Sequence, residues 1–184
     1  MREHGPWRIR DTRRVYSDPW VGLTVDDVVR PDGTPGTFSV VHVKPGISVV
    51  AMDDAGVVYL TEEFRYAVGR MSLEVVSGGV EDGEEPLTAA RRELKEELGI
   101  EANDWTDLGR ADPFTSMVLS PARLFLARQL QFGEHARDGA ELIRCVPMPL
   151  TEAVQAVLDS RITHSVSCLA ILKAAWRLGK EYRP

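Results

Sequence analysis

Apolar and polar positions alternate along residues 7–16 and 20–30, and an apolar-rich run follows at 37–43. Pro31-Asp32-Gly33-Thr34-Pro35-Gly36 separates the last two runs. Period-two patterning bounded by Pro, Gly and Asp predicts an N-terminal antiparallel strand unit. Residues 47–52 and 57–62 predict a hairpin through Asp53-Asp54-Ala55-Gly56, and 73–76 a short buried strand leading into Gly78-Gly79. Further strands are predicted near 105–111, 123–130 and 142–147, with a polar loop at 131–140. Two closing helices are predicted over 151–159 and 163–178. Strands in the middle of the chain with helices around them predict an α/β sandwich.

The period changes to that of a helix after Pro86. Leu87, Ala90, Leu94 and Leu98 follow i, i+3, i+4 spacing and form one apolar stripe. Pro86 suits the first helical position, and Gly99 a left-handed cap that lets Ile100 fold back on the stripe. Glu93 and Glu97 flank the stripe at the rim of the core, while Arg92 and Glu96 lie further round.

That helix carries its acids at the wrong end. Glu93, Glu96 and Glu97 stand within one turn, where like charges repel by a few tenths of a kcal/mol per pair. The dipole makes an acid in the last turn cost roughly a further 0.3–1 kcal/mol. Crowded carboxylates there suggest a hard divalent cation, Mg²⁺ or alternatively Mn²⁺. Taken alone, RRELKEEL also fits a solvated helix with interleaved ion pairs.

The longer string from Gly78 to Ile100, GGVEDGEEPLTAARRELKEELGI, decides between the two. It resembles the Nudix hydrolase signature at nine fixed positions: Gly78, Glu84, Arg92, Glu93, Leu94, Glu96, Glu97, Gly99 and Ile100. The resemblance implies a Nudix-type α/β/α sandwich with a mixed sheet and an N-terminal antiparallel β extension. It implies an extension over 1–44 that serves as a dimerisation unit, and a hydrolase domain over 45–184. It also implies Glu93 and Glu97 as metal ligands with Glu96 beside them, the Ser77 carbonyl as a further ligand, and Arg92 orienting Glu84 or Glu96. Glu62-Glu63-Phe64-Arg65-Tyr66, with Leu73-Glu74 before the signature, resembles the ADP-ribose and nucleoside-diphosphate-sugar pyrophosphatase branch. There the arginine matching Arg65 contacts the diphosphate, as a planar guanidinium suits, and Glu74 falls in the same substrate-binding region. Trp20 and Phe38 are the aromatic residues that this branch would stack on the nucleobase. The loop that supplies the general base corresponds to Gly139-Ala140-Glu141, which makes Glu141 the first candidate, with Glu134 and Asp138 behind it. Ala111-Asp112-Pro113-Phe114-Thr115-Ser116 departs from the turn many ADP-ribose enzymes carry there, leaving ADP-sugars, GDP-mannose and damaged nucleotides open.

Composition removes other classes. The chain has 184 residues, enough for one domain with a core, or a core plus a small extension. A net charge of −6 disfavours a nucleic-acid surface, despite the local cluster Arg8, Arg10, Arg13 and Arg14. Cys145 and Cys168 have neither metal nor redox spacing and fit a reducing cytoplasm, and no run reaches membrane-spanning length. The expected reaction is Mg²⁺-dependent hydrolysis of a nucleoside diphosphate sugar to a nucleoside monophosphate and a sugar phosphate by a homodimer. A non-catalytic nucleotide-sensing module on the same fold is the alternative, though such a module would lose metal-binding glutamates and none is lost here. A prenyl diphosphate isomerase would need a placed cysteine and histidines, and none lies near the signature.

Overall fold

A computed structural model of the chain describes residues 1–134 and 142–181. It divides into two compact units, Met1–Pro45 with Asp112–Pro121 and Gly46–Ala111 with Ala122–Pro184.

The first unit is a five-stranded sheet. Strands β1 (Arg2–His4), β2 (Trp7–Ser17), β3 (Val21–Val29) and β4 (Pro35–Val43) follow in antiparallel order. The turn between β3 and β4 closes on Gly33, with φ of +86°, and on the Asp32 carboxylate, which accepts from the Thr34 N–H at 2.9 Å. A two-residue strand, β10 (Val118–Leu119), adds to β4 in parallel. The sequence pattern does not predict this strand. Two residues have no measurable period, and their partners, Val41 and His42, are remote in the chain.

The second unit is a seven-stranded mixed sheet between helices. Its strands are β5 (Gly46–Met52), β6 (Val57–Arg65), β7 (Arg70–Glu74), β8 (Val76–Gly79), β9 (Ile100–Ala111), β11 (Ala122–Phe132) and β12 (Arg144–Pro149). The main path runs β12-β6-β5-β11-β9, with β7 on β6 and β8 on β5. β5 is the centre, running parallel to β11 and antiparallel to β6 and β8. Such a strand, covered on both faces, must be apolar almost throughout, and Ile47 to Met52 are all buried. Ile47, Val49 and Ala51 pack with Ala89, Ala90, Leu94 and Leu98 of α1 (Pro86–Leu98). Val50 and Met52 face the opposite core, with Ala153 and Ala156 of α2 (Leu150–Leu158) and Ala170, Ile171 and Ala174 of α3 (Ser165–Glu181). The result is the α/β/α sandwich expected. Among the described residues no helix is long and apolar enough to cross a membrane.

The apolar run at 73–76 is two strands, not one. Val75 is fully buried between them, and its N–H donates to Ser167 Oγ on α3 at 3.0 Å instead of joining the ladder. The break lets β7 pair with β6 and β8 turn onto β5.

α1 begins at Pro86 after Glu85 and ends on Gly99, whose φ and ψ of 66° and 23° are left-handed. The Gly99 N–H closes the helix on Lys95 at 2.9 Å, and its carbonyl accepts from Gly133 N–H at 2.8 Å. A side chain at Gly99 would therefore meet a strained φ and also the Gly133 carbonyl 2.6 Å away. Gly83 has a φ of +79° with open space around it. Gly99→Ala is expected to cost about 2–4 kcal/mol, and Gly83→Ala only about 1–2 kcal/mol. Urea unfolding of both variants checks this, and equal losses would show that the Gly133 backbone yields freely.

Candidate active site

The site is built around one guanidinium. All five N–H donors of Arg92 have an acceptor. Nε and Nη2 grip Glu84 at 3.1 Å each, Nη2 also reaches the Gly79 carbonyl at 2.9 Å, and Nη1 donates to Glu93 at 2.7 Å and Glu96 at 3.2 Å. The hydrogen bonds to Glu84 lead the causes that raise the Arg92 pKa, so its charge is permanent. Glu84 is itself fixed, accepting from the Glu81 N–H at 2.9 Å. Arg92 thus ties the loop after β8 to the last turns of α1.

Carboxylates are graded by depth. Glu97 is buried on the core side of α1, Glu93 is mostly covered, and Glu96 is nearly half exposed. Gly78 is required by this arrangement: a Cβ there would overlap the Glu93 carboxyl. Ser77, one residue earlier, pairs with Ser48 across the β5–β8 ladder, and its hydroxyl lies 3.1 Å from the Val75 carbonyl.

These residues suit a hard divalent ion in donor type, being carboxylates on one helix face beside a glycine that makes room for one of them. Among the described residues, no three His, Cys, Asp or Glu side chains are gathered into a ready metal cluster. Arg92 engages Glu93 and Glu96 in this arrangement and supplies the positive charge between them.

Arg65, at the end of β6, lies in a second network. Its Nε and Nη2 form a fork on Glu74 at 3.2 and 2.9 Å, and Nη1 pairs with Glu63 at 2.8 Å. Burial works against the Arg65 charge, yet the Glu74 hydrogen bonds and the charges of Glu74, Glu63 and Glu97 outweigh it and raise its pKa. The Glu97 influence links this network to α1. Glu74 is 5% exposed. Burial favours its neutral form, but the Arg65 hydrogen bonds dominate the opposing causes and hold its pKa below the ordinary value. His164 Nδ1 lies 3.2 Å from the same carboxylate, a neighbour that no local pattern in the sequence indicates.

Of the remaining candidates, Trp20, Phe38 and Glu134 lie among the described residues. Trp20 and Phe38 belong to the first unit; Trp20 is 70% exposed, and Phe38 packs edge-on against Trp7 with centroids 5.7 Å apart. Glu134 is exposed just after Gly133. Glu141 and Asp138 lie outside the described residues.

Most of the chain is similar to known proteins. Residues 42–164 match the family model of the NUDIX domain. Residues 7–41 match that of the nucleoside diphosphate sugar hydrolase N-terminal domain. An ADP-ribose pyrophosphatase of Mycobacterium tuberculosis is 30% identical over 176 residues, covering 94% of this chain and 84% of its own. An ADP-ribose pyrophosphatase of Bacillus subtilis is 28% identical over 86% of each chain. A methanol dehydrogenase activator of Bacillus methanolicus is also 28% identical, over 87% of this chain and 88% of its own. The crystal structure of an ADP compounds hydrolase superposes over the full length of both chains with a TM-score of 0.86 at 21% identity, a likeness of fold.

The Arg65–Glu74 pair predicts a pH signature. Glu74→Gln is expected to cost about 1–3 kcal/mol at pH 7, at the low end of buried pairs because the Arg65 side chain is 38% exposed. The Glu74 pKa is lower folded than unfolded, so its contribution is full above the unfolded value and is lost as pH falls through the folded one. Urea midpoints of wild type and Glu74→Gln should therefore converge as acidification carries the pH below the ordinary carboxylate range. A gap unchanged by acid would mean that the carboxylate charge contributes nothing.

Proposed function

The chain belongs to the Nudix family, and from that membership we propose that it hydrolyses the diphosphate bond of a nucleoside diphosphate sugar. The products would be a nucleoside monophosphate and a sugar phosphate. The complete signature carries this reading, with Arg92 at its centre bonded to Glu84, Glu93 and Glu96. The match of residues 7–41 to the nucleoside diphosphate sugar hydrolase N-terminal domain supports the substrate class. So do the names of the two ADP-ribose pyrophosphatase relatives.

Mg²⁺ is the proposed metal, with Mn²⁺ as a substitute. Glu93 and Glu97 would hold it, with Glu96 beside them and the Ser77 carbonyl as a further oxygen. Bound there, a divalent cation neutralises diphosphate charge, polarises the phosphoryl oxygens and acidifies a water. Arg65 would bind the diphosphate through its Nη1–Nη2 edge, which lies outside the Nε–Nη2 fork on Glu74 and where phosphate oxygens would compete with Glu63 for Nη1. Glu74 would act on substrate through Arg65. Trp20 and Phe38 would stack on the base. Glu141 would take the proton from the attacking water, with Glu134 and Asp138 as the other acids of that segment. Residues 1–44 would form the dimerisation extension to a hydrolase domain over 45–184, giving a homodimer. A cytoplasmic setting fits Cys145 and Cys168, neither of which is in a disulfide.

The test is Mg²⁺-dependent turnover of ADP-ribose, ADP-glucose, GDP-mannose, NADH and diadenosine polyphosphates, with products resolved by chromatography. One sugar diphosphate is expected to dominate. Glu97→Gln should lower kcat/KM by about 100-fold or more, and Arg92→Lys by about 10–100-fold, since a lysine cannot span the acids Arg92 bridges. Full turnover by Glu97→Gln would sink the metal assignment. Binding of a nucleotide without any turnover would identify a sensing module instead.

A further inference from the structure

His164 stands at the start of α3, where its carbonyl accepts the N–H of Cys168 at 2.9 Å, as an N-cap residue does. Its side chain leaves the helix and reaches the β6–β7 network. Nδ1 lies 3.2 Å from Glu74 Oε2 and 2.9 Å from Ser167 Oγ. Ser167 is fully buried, and its Oγ accepts the Val75 N–H. Glu74, in turn, holds the Nε–Nη2 edge of Arg65.

The proton on the imidazole decides what this arrangement means. An ionised carboxylate only accepts hydrogen bonds. A bare Nδ1 at 3.2 Å would set one lone pair against another, whereas Nδ1–H would donate to Glu74 and share its proton with Ser167 Oγ. Burial, with the nearby Arg65 charge, pushes the His164 pKa below its ordinary value against the attraction of Glu74, which favours the ring with a single proton. In that state Nδ1 can hold the proton only if Nε2 gives it up.

We propose that His164 is a positioning residue of the hydrolase, whose Nδ1–H bonds to Glu74 Oε2 and thereby fixes the carboxylate that aims Arg65 at the substrate diphosphate. The inference rests on the reading of Arg65 as the diphosphate contact. Arg65 is 38% exposed and also bonds Glu63, so without a fixed Glu74 its guanidinium has a second carboxylate to follow. Held from behind by a side chain on a different element, Glu74 offers Arg65 one fork geometry, and the arginine meets substrate with its rotamer entropy already spent. The Val75 N–H bond to Ser167 fixes the spacing, because it ties the residue next to Glu74 to the first turn of α3.

Two substitutions separate this role from capping. Serine and asparagine are both good N-caps, but only His164→Asn would place an amide N–H where Nδ1 stands; the side chain introduced by His164→Ser is too short to reach Glu74. ¹⁵N-histidine NMR of the wild-type chain should show His164 protonated at Nδ1 and bare at Nε2. His164→Ser should raise KM for the preferred sugar diphosphate about 3–10-fold with kcat within about twofold, and His164→Asn should stay near wild type. In an Arg65→Ala background, His164→Ser should add nothing further. An Nε2–H tautomer, equal KM values for the two His164 variants, or a full multiplicative effect on top of Arg65→Ala would each overturn the proposal. An unchanged KM in Arg65→Ala alone would instead overturn the diphosphate role of Arg65, and the tautomer would still decide the His164–Glu74 bond.

Discussion

Everything in the candidate site depends on how Arg92 distributes one positive charge over three acids. Glu84, Glu93 and Glu96 come from a loop and from two successive turns of a helix, and as anions they repel. A lysine would offer a point charge to one or two of them, whereas the guanidinium fork reaches all three and the Gly79 carbonyl together. The hydrogen bonds fix directions as well as distances, so the carboxylates face one side of α1 before any cation or substrate arrives. Gly78 supplies the other half of the constraint by having no side chain where the Glu93 carboxyl lies. Charge and steric room are thus set by residues fourteen positions apart in the sequence, joined because β8 delivers the glycines against α1.

The sheet makes that delivery possible. β5 pairs with β8 over Gly46 to Val49 and with β6 at Ala51 and Met52, changing partner along its length. The change requires the strand on the other side to break, and it breaks at Val75, where Ser167 takes over the backbone N–H. One consequence is that Glu74 ends its strand among buried polar partners, three residues before Ser77. The polar network around Glu74 and the acids of α1 are therefore two sides of the same strand interruption, and the charge of Glu97 felt at Arg65 is its electrostatic trace.

Legibility in the sequence follows the range of the interactions. The helix from Pro86 to Leu98 and its glycine stop are local, and spacing alone places them, whereas the pairing of Arg92 with Glu84 or Glu96 follows from the family resemblance. The strands of the central sheet are also local signals, since each is a short apolar or alternating run. What the sequence hides is long-range. β10 is two residues long and exists only through β4. The break at Val75 depends on a hydroxyl 92 positions away. The Glu74 neighbour His164 reads as an ordinary helix-start residue until the fold brings it to β7. Glu141, named from the sequence as the general base, lies outside the described residues, so its place rests on the resemblance of its loop.

The Arg65–Glu74 pair also shows why a costly interaction persists. Removing two charges from water costs several kcal/mol per ion, and mutual attraction repays this only with good geometry, so apolar replacements of such pairs are often as stable or more so. Stability alone is therefore a poor reason for a carboxylate to sit 5% exposed at the end of β7. Geometry is a better one. An arginine meant for a flexible anion must be charged, extended and confined before binding, or the anion must supply the ordering energy. A buried carboxylate gripping the Nε–Nη2 edge achieves all three, and it leaves the opposite edge clear of that carboxylate. The same argument explains the support around Glu74. A carboxylate that could rotate would release the arginine, and His164, just before α3, reaches the same Oε2 that Arg65 Nη2 engages.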